Sequence, residues 1–470
     1  MLRMHPFGRG GLAVPVRKEI VAMKLRVAVP VVVFLVFSGF TRAQSGPPVA
    51  APEPDSRYKA DILLVVGHPD DDTYVSAYLA KVIEQDHKRV AVVHMTRGNS
   101  GGNVVGQEQA AALADIREME ARHALASYGV THVWFLHGTD TPGVDVLHSL
   151  EAWGHGLALQ EVVRLVRLTR PEVVFTHLPD YVVGENHDDH QAAGVVATEA
   201  FDLAADPLAF PEQVEAPRNR LGYSNYGEGL RPWQPRKIYY FTDATHFEFL
   251  KGNGPEYPTS DVSPSRKVPY SRVAAEGWSF YKTQGSDYTD AQLRAVTEMP
   301  VRLILGKSLV GGARTADVFE GLPNSNVAYA RPRGYEPPPA GVTVGLGGPW
   351  AFYQAFWRAH NIEHLAELYS PEAQADAGAA LWVPLIIRND TDSPTKVSVR
   401  ATLPAGWIQK PQPGVYEIGP HDSFTVQLAL SPPETQIGTW QTLTWNAESD
   451  GKKVGSVSLR VSVSGDAPAQ

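Results

Sequence analysis

Short apolar runs alternate with longer amphipathic stretches through the first half of the chain. The runs are rich in β-branched and aromatic residues and lie at 62–66, 90–93, 133–136 and 173–175. Continuous apolar runs of this length are typical of parallel strands that are buried on both faces. The stretches between them predict helices at 73–84, 107–127 and 150–169. This alternation favours an α/β, Rossmann-like fold with a mostly parallel sheet flanked by helices.

The pattern changes from about residue 380. Strand-length runs are then separated only by turn residues, and they lie at 381–387, 396–403, 424–430, 439–445 and 455–463. Short strands at this spacing predict an all-β, immunoglobulin-like sandwich. We therefore predict an α/β domain over 61–330, a Gly- and Pro-rich linker region over 331–375, and a β-sandwich domain over 376–466.

The N-terminus has the pattern of an export signal. Lys24 and Arg26 precede an apolar run at 27–37, and the small residues Thr41 and Ala43 follow it. We predict a signal peptide over 1–43 and a linker over 44–60, with translation starting at Met1 or Met23. The apolar run is shorter than the ~20 residues that a membrane span needs, so no stable span is expected after cleavage. A short uncleaved anchor is the alternative, and the expected location is periplasmic or extracellular.

Composition and charge exclude several classes of protein. The formal net charge is −9, which argues against nucleic acid as a partner. The chain contains no cysteine, so disulfides, thiolate metal sites and a cysteine nucleophile are excluded. Any metal ion must therefore be held by His, Asp or Glu.

The first candidate site is the sequence GHPDDD at 67–72, directly after the first predicted strand. Ligands of open α/β sheets bind at the carboxyl ends of strands. One histidine and three carboxylates there offer the nitrogen and oxygen ligands that divalent ions take. The alternative is an acidic N-cap for the following helix, which would need a single Asp.

The second candidate site is NHDDH at 186–190, which follows the strand at 173–175 and opens a helix towards Phe201. Taken alone, two histidines at a helix start are as readily explained by solvent exposure. Both clusters follow strands of the same predicted sheet, however, so we expect them to face one crevice.

These clusters, together with TRGN at 96–99 and IREMEAR at 116–122, resemble the PIG-L/LmbE family of zinc-dependent N-deacetylases. The resemblance covers residues 61 to about 320, and its specific motifs lie between 67 and 190. It implies removal of acetyl groups from N-acetylglucosamine moieties. It also implies Zn²⁺, or another divalent ion, bound by His68, Asp71 and His190, which leaves a coordination position open for water.

The resemblance assigns roles to four further residues. Asp70 would be the general base that deprotonates the attacking water. His187 would stabilise the oxyanion or protonate the leaving amine, and Asp189 would orient a neighbouring imidazole. Arg117 would contact the substrate.

Three positions depart from the family pattern. Asp72 stands where the family usually has Glu, and Asn99 where an acidic residue is frequent. Tyr281 stands where a histidine opens a His-x-Ser-Gln run. These departures bear on the choice of substrate more than on the chemistry.

The sequence thus predicts an exported metal-dependent hydrolase that deacetylates an N-acetylated sugar or glycoconjugate. Two alternatives remain open: a metal-dependent hydrolase of another amide or ester, and an inert carbohydrate-binding protein. The expected partner is a small-molecule or glycan substrate. The C-terminal module is expected to dock on a glycan or a protein.

Overall fold

The computed structural model describes residues 53–184, 187–215, 227–244, 248–285, 290–335, 340–368 and 370–465. The predicted signal peptide and most of the 44–60 linker lie outside these residues. Among the helices of the described ranges, none has the length and apolar character needed to cross a membrane.

A six-stranded sheet forms the centre of the N-terminal part, with the strand order β3-β2-β1-β4-β5-β8. The first five strands are parallel, and the last runs antiparallel to β5. The strands are β1 (Ile62–Val66), β2 (Val90–Thr96), β3 (His132–Gly138), β4 (Val173–His177), β5 (Lys237–Phe241) and β8 (Ile304–Ser308), with β6 (Glu256–Tyr257) and β7 (Val301–Arg302) as a separate pair. Every residue of β1, β2, β4 and β5 is buried, which explains their apolar sequences. The predicted mostly parallel α/β sheet is confirmed.

Helices connect and cover these strands. They are α1 (Ser76–Glu84), α2 (Ala110–Ser127), α3 (Val146–Ala152), α4 (His155–Thr169), α5 (Asp188–Leu203), α6 (Pro211–Val214), α7 (Tyr270–Trp278), α8 (Lys282–Gly285), α9 (Asp290–Thr297) and α10 (Pro349–Ala359). The helix expected over 150–169 is in fact two helices, with Trp153 and Gly154 between them. The helix expected from residue 73 begins at Ser76, because a 3₁₀ turn at Asp71–Tyr74 precedes it.

The order of the strands fixes where a ligand can bind. The chain moves outward from β1 to β2 and β3, and then returns to place β4 on the other side of β1. Such a reversal opens a crevice at the carboxyl ends of the two central strands. The clusters at 67–72 and 187–190 follow β1 and β4, so both lie at this crevice.

Helix α5 packs unusually close to the end of β4. A Cβ atom added at Gly194 would lie 2.4 Å from the carbonyl oxygen of His177 and 2.9 Å from the nitrogen of Pro179. Only glycine permits this approach. The approach brings the first turn of α5, with its histidines, against the carboxyl end of the sheet.

The C-terminal part is a β-sandwich. One sheet has the order β10-β17-β16-β12-β14, and the other has the order β13-β15-β11-β9. The strands are β9 (Val342–Leu346), β10 (Glu372–Asp376), β11 (Leu381–Asn389), β12 (Thr395–Thr402), β13 (Ile408–Lys410), β14 (Val415–Ile418), β15 (Asp422–Ser431), β16 (Trp440–Ser449) and β17 (Lys452–Ser464). Apolar side chains of both sheets, among them Leu385 and Trp445, form one core.

The region 331–375, for which we predicted a linker, contains α10 and the strands β9 and β10. Strand β9 pairs with β11, and β10 pairs in parallel with β17, so both strands belong to the sandwich. Neither strand has a clear strand signal in its sequence context, because β9 lies within a Gly- and Pro-rich stretch and β10 has polar residues at three of its five positions.

Candidate metal centre

A cavity of about 550 Å³ opens at the carboxyl ends of β1 and β4. Six of the seven site residues predicted from the sequence line it, and the seventh, Asp189, is completely buried beside it. The six are His68, Asp70, Asp71, Arg117, His187 and His190.

His68, Asp71 and His190 place three potential metal ligands together. The Nε2 atom of His190 lies 3.1 Å from Nδ1 of His68 and 3.1 Å from Oδ1 of Asp71. The Nδ1 atom of His68 lies 3.8 Å from Oδ2 of Asp71. Ligand atoms around a tetrahedral zinc ion stand about 3.3 Å apart, given bonds of about 2.0–2.1 Å. The two 3.1 Å separations are close to this value, so the three side chains are compatible with a divalent ion such as zinc.

Asp189 contacts the ring of His68. Its Oδ2 atom lies 3.2 Å from Nε2 of His68, which leaves Nδ1 of the ring facing the other two ligands. Thr141 holds the carboxylate in turn, through its backbone amide and its hydroxyl. Burial disfavours a charged His68, but hydrogen bonds with Asp189 and Asp71 outweigh it and raise its pKa to about 10. The structure thus brings Asp189 into contact with His68, while its orienting role stays a prediction.

His190 has two neighbours that the sequence analysis did not assign to the site. Its Nδ1 atom lies 3.6 Å from Oδ2 of Asp243, and its ring stacks on His177 with centroids 4.2 Å apart. Asp243 follows β5 at the same edge of the sheet as the two clusters. The signal available in the sequence was the change from an apolar strand to Thr242 and Asp243.

Asp70 and His187 line the cavity beside the three ligands. Burial, assisted by the charge of Asp71, raises the pKa of Asp70 to about 8. Burial, assisted by the charge of His68, lowers the pKa of His187. The Nδ1 atom of His187 accepts a hydrogen bond from the amide of Asp189 at 3.2 Å. The proton of the neutral ring is therefore on Nε2.

Arg117 lines the cavity and also holds its rim. Its guanidinium donates hydrogen bonds to the carbonyl oxygens of Gly98 at 2.9 Å and Gly102 at 2.8 Å. Gly98 has a φ of 70°, and a Cβ atom there would lie 2.7 Å from Cδ of Arg117, so this turn requires glycine. Arg117 is thus a structural anchor for the 98–102 loop, besides the substrate contact expected of it.

Part of this chain is similar to known proteins. The family described as PIG-L, GlcNAc-PI de-N-acetylase, matches residues 63–201. A 1D-myo-inositol 2-acetamido-2-deoxy-alpha-D-glucopyranoside deacetylase of Catenulispora acidiphila is 31% identical over 187 residues, which cover 37% of this chain and 57% of that protein. The enzyme of the same name from Streptomyces scabiei is 29% identical over 238 residues, covering 47% of this chain and 67% of that protein.

Among solved structures, N,N'-diacetylchitobiose deacetylase from Pyrococcus horikoshii is similar over 52% of this chain and 84% of its own, with 17% identity and a TM-score of 0.39. The family match begins within β1 and ends within α5, and so contains both polar clusters. Residues 63–201 of this chain are therefore similar to the PIG-L family over the segment that carries both polar clusters.

Proposed function

We propose that this protein is a zinc-dependent hydrolase that removes the acetyl group from an N-acetylated sugar or glycoconjugate. The observation that carries the proposal is the grouping of His68, Asp71 and His190 in one cavity with Asp70 and His187. Its relatives are named as deacetylases of a 2-acetamido-2-deoxy-glucopyranoside, which supports an acetamido sugar as substrate.

Each of the cavity residues has a separate role in the proposed reaction. His68, Asp71 and His190 would hold the zinc ion, which when bound would supply a Lewis acid for the amide carbonyl and for the attacking water. Asp70, which lines the cavity beside the three candidate ligands, removes a proton from the attacking water. The Nε2–H of His187 donates a hydrogen bond to the oxygen on which negative charge develops. The proton held by Asp70 then passes to the nitrogen as the C–N bond breaks, and acetate and a free amine leave.

We further propose that the protein acts outside the cytoplasm. The basic residues, apolar run and small residues at 24–43 support this proposal. The N-terminal sequence of the protein purified from the culture medium or periplasm would test it, because cleavage after Ala43 predicts a chain that begins at Gln44.

The test of the enzyme compares wild-type protein with the Asp70→Asn variant. We expect one zinc ion per chain in both, measured by mass spectrometry of the metal. We expect wild type to release acetate and amine from N-acetylglucosamine conjugates, including the inositol-linked one, and the variant to be slower by about 10²–10⁴-fold. A metal-loaded wild type that hydrolyses no acetamido sugar would refute the proposed substrate class.

A further inference from the structure

A second cavity, of about 460 Å³, lies between the α/β part and the β-sandwich. One wall comes from residues 143–145, Tyr181 and the start of α5, and the other from α10, β10 and β11 of the sandwich. Its volume falls within the range of small-molecule sites, about 300–1,000 Å³. We call it the sandwich groove.

The sandwich groove adjoins the candidate metal centre. His187 lines both cavities. The segment after β3 also borders both, since residues 140–142 line the first cavity and residues 143–145 line the second. The backbone amide of Val144 donates to Oδ2 of Asp188 at 3.0 Å, which fixes this segment against α5. When the reacting group of a ligand lies beside His187, the chemical unit attached to that group therefore extends into the sandwich groove.

The lining of the groove suits a neutral, hydroxyl-bearing ring. Trp382 is 61% exposed, although it stands on a strand of the sandwich core, and Trp350 and Tyr353 also line the groove. Asp145 and Gln374 supply a carboxylate and an amide. Among its described lining residues there is no lysine or arginine, which disfavours anionic ligands. Aromatic faces combined with a few polar groups bind a ring that is apolar on its faces and polar at its edge.

The two walls of the groove are joined by buried contacts. Glu372 of β10 is completely buried; it accepts a hydrogen bond from the amide of Val183 at 3.2 Å and pairs with Arg460 at 2.9 Å. Tyr353 of α10 donates to the side chain of Gln191 on α5. Because these contacts hold the walls in place, the groove is preorganised and binding costs little ordering entropy.

We propose that the sandwich groove is a subsite for the sugar ring next to the N-acetylated one, so that the substrate is a di- or oligosaccharide. This inference rests on the proposed deacetylase function. Trp382 stacks on the face of that ring, and the sandwich thereby contributes to substrate choice. Binding energy from this remote ring holds the acetamido group in the metal-site cavity.

The test compares wild type, Trp382→Ala and a control, Phe424→Ala. Phe424 is 48% exposed, lies on the same sandwich sheet and lines neither cavity. Rates of acetate release are measured on N-acetylglucosamine and its β-1,4-linked oligomers of two to four units. We expect kcat/KM of wild type to rise about five- to tenfold from monomer to dimer, and Trp382→Ala to lose that rise while keeping the monomer rate. Phe424→Ala should resemble wild type.

Equal kcat/KM on all lengths in wild type, or an equal loss on all lengths in Trp382→Ala, would overturn the subsite. Calorimetric binding of the tetramer to Asp70→Asn protein separates this inference from the enzyme proposal. If wild type deacetylates nothing, the enzyme proposal fails. In that case the subsite is supported only if adding Trp382→Ala to the Asp70→Asn protein weakens tetramer binding about five- to tenfold. It is refuted if the tetramer does not bind or binds both proteins equally well.

Discussion

The hydroxyl of Tyr281 donates a hydrogen bond to Oδ1 of Asp72, and both side chains are buried. Tyr128 donates to the other carboxylate oxygen at 2.5 Å. These two tyrosines come from the segment after α7 and the end of α2, and they tie both elements to the turn that carries Asp70 and Asp71. Two of the departures from the family pattern, Asp72 and Tyr281, are therefore direct partners.

Replacing Tyr281 by phenylalanine tests this contact. Tyr281→Phe removes one of the two hydroxyl donors of a buried carboxylate, so we expect a loss of about 1–3 kcal/mol in the free energy of unfolding. Urea denaturation measures it. Tyr335→Phe, at a tyrosine that is 61% exposed, should change stability by less than about 0.5 kcal/mol. Equal stability of the two variants would contradict a structural role for the contact.

The raised pKa of Asp72 should make the free energy of unfolding depend on pH. Burial raises its pKa to about 6 in spite of the two tyrosine hydrogen bonds, against about 3.9 for a free Asp. The folded state therefore binds more protons than the unfolded state between about pH 4 and 6, and this group's contribution to stability decreases as pH rises through that window. Tyr281→Phe should raise the pKa further, so its cost should be larger at pH 7.5 than at pH 4.5. Urea midpoints at the two pH values measure this difference.

The metal centre predicts that His190 controls zinc content. In His190→Gln we expect zinc to be lost from the purified protein, because two ligands remain where three are needed. The variant should also lose the stabilisation that added zinc gives wild type, about 2.7 kcal/mol when zinc is at a hundredfold its dissociation constant. His148→Gln, at an exposed histidine of α3, is the control and should retain both properties. Zinc retained at full stoichiometry in His190→Gln would contradict the ligand assignment.

Substitution of Asp243 should also weaken zinc binding, but less than substitution of His190. The Oδ2 atom of Asp243 lies 3.6 Å from Nδ1 of His190, so we expect this carboxylate to orient that ring. We expect Asp243→Asn to bind zinc about 10–100-fold more weakly, as measured by competition with a chelating dye. Asp115→Asn, at an exposed carboxylate of α2, should leave affinity unchanged. If Asp243→Asn binds zinc as tightly as wild type, this carboxylate does not support His190.

The sequence predicted the parts of the site that local pattern determines. An apolar strand followed by a polar cluster places His68 and His190 at the carboxyl end of a sheet, although they stand 122 positions apart. Asp243 was missed because a single carboxylate after a strand has no distinctive spacing. The contact between Tyr281 and Asp72, 209 positions apart, depends on packing that periodicity does not encode. Strand β9 was missed because its five residues stand within a Gly- and Pro-rich stretch, a composition that indicates a linker.

Arg117 can act by holding the 98–102 loop or by contacting the substrate, and enzyme kinetics together with amide hydrogen exchange distinguish these two roles. Its two hydrogen bonds to the carbonyls of the 98–102 loop need the forked guanidinium, which lysine cannot reproduce. Because these bonds hold the rim of the cavity, we expect Arg117→Lys to raise amide exchange in that loop and to raise KM about tenfold, the equivalent of one lost charge-assisted hydrogen bond. Arg122→Lys, on the outer surface of the same helix, should change neither quantity. A raised KM with unchanged exchange would instead mean that Arg117 acts through the substrate alone, because the loop would then keep its conformation without the guanidinium.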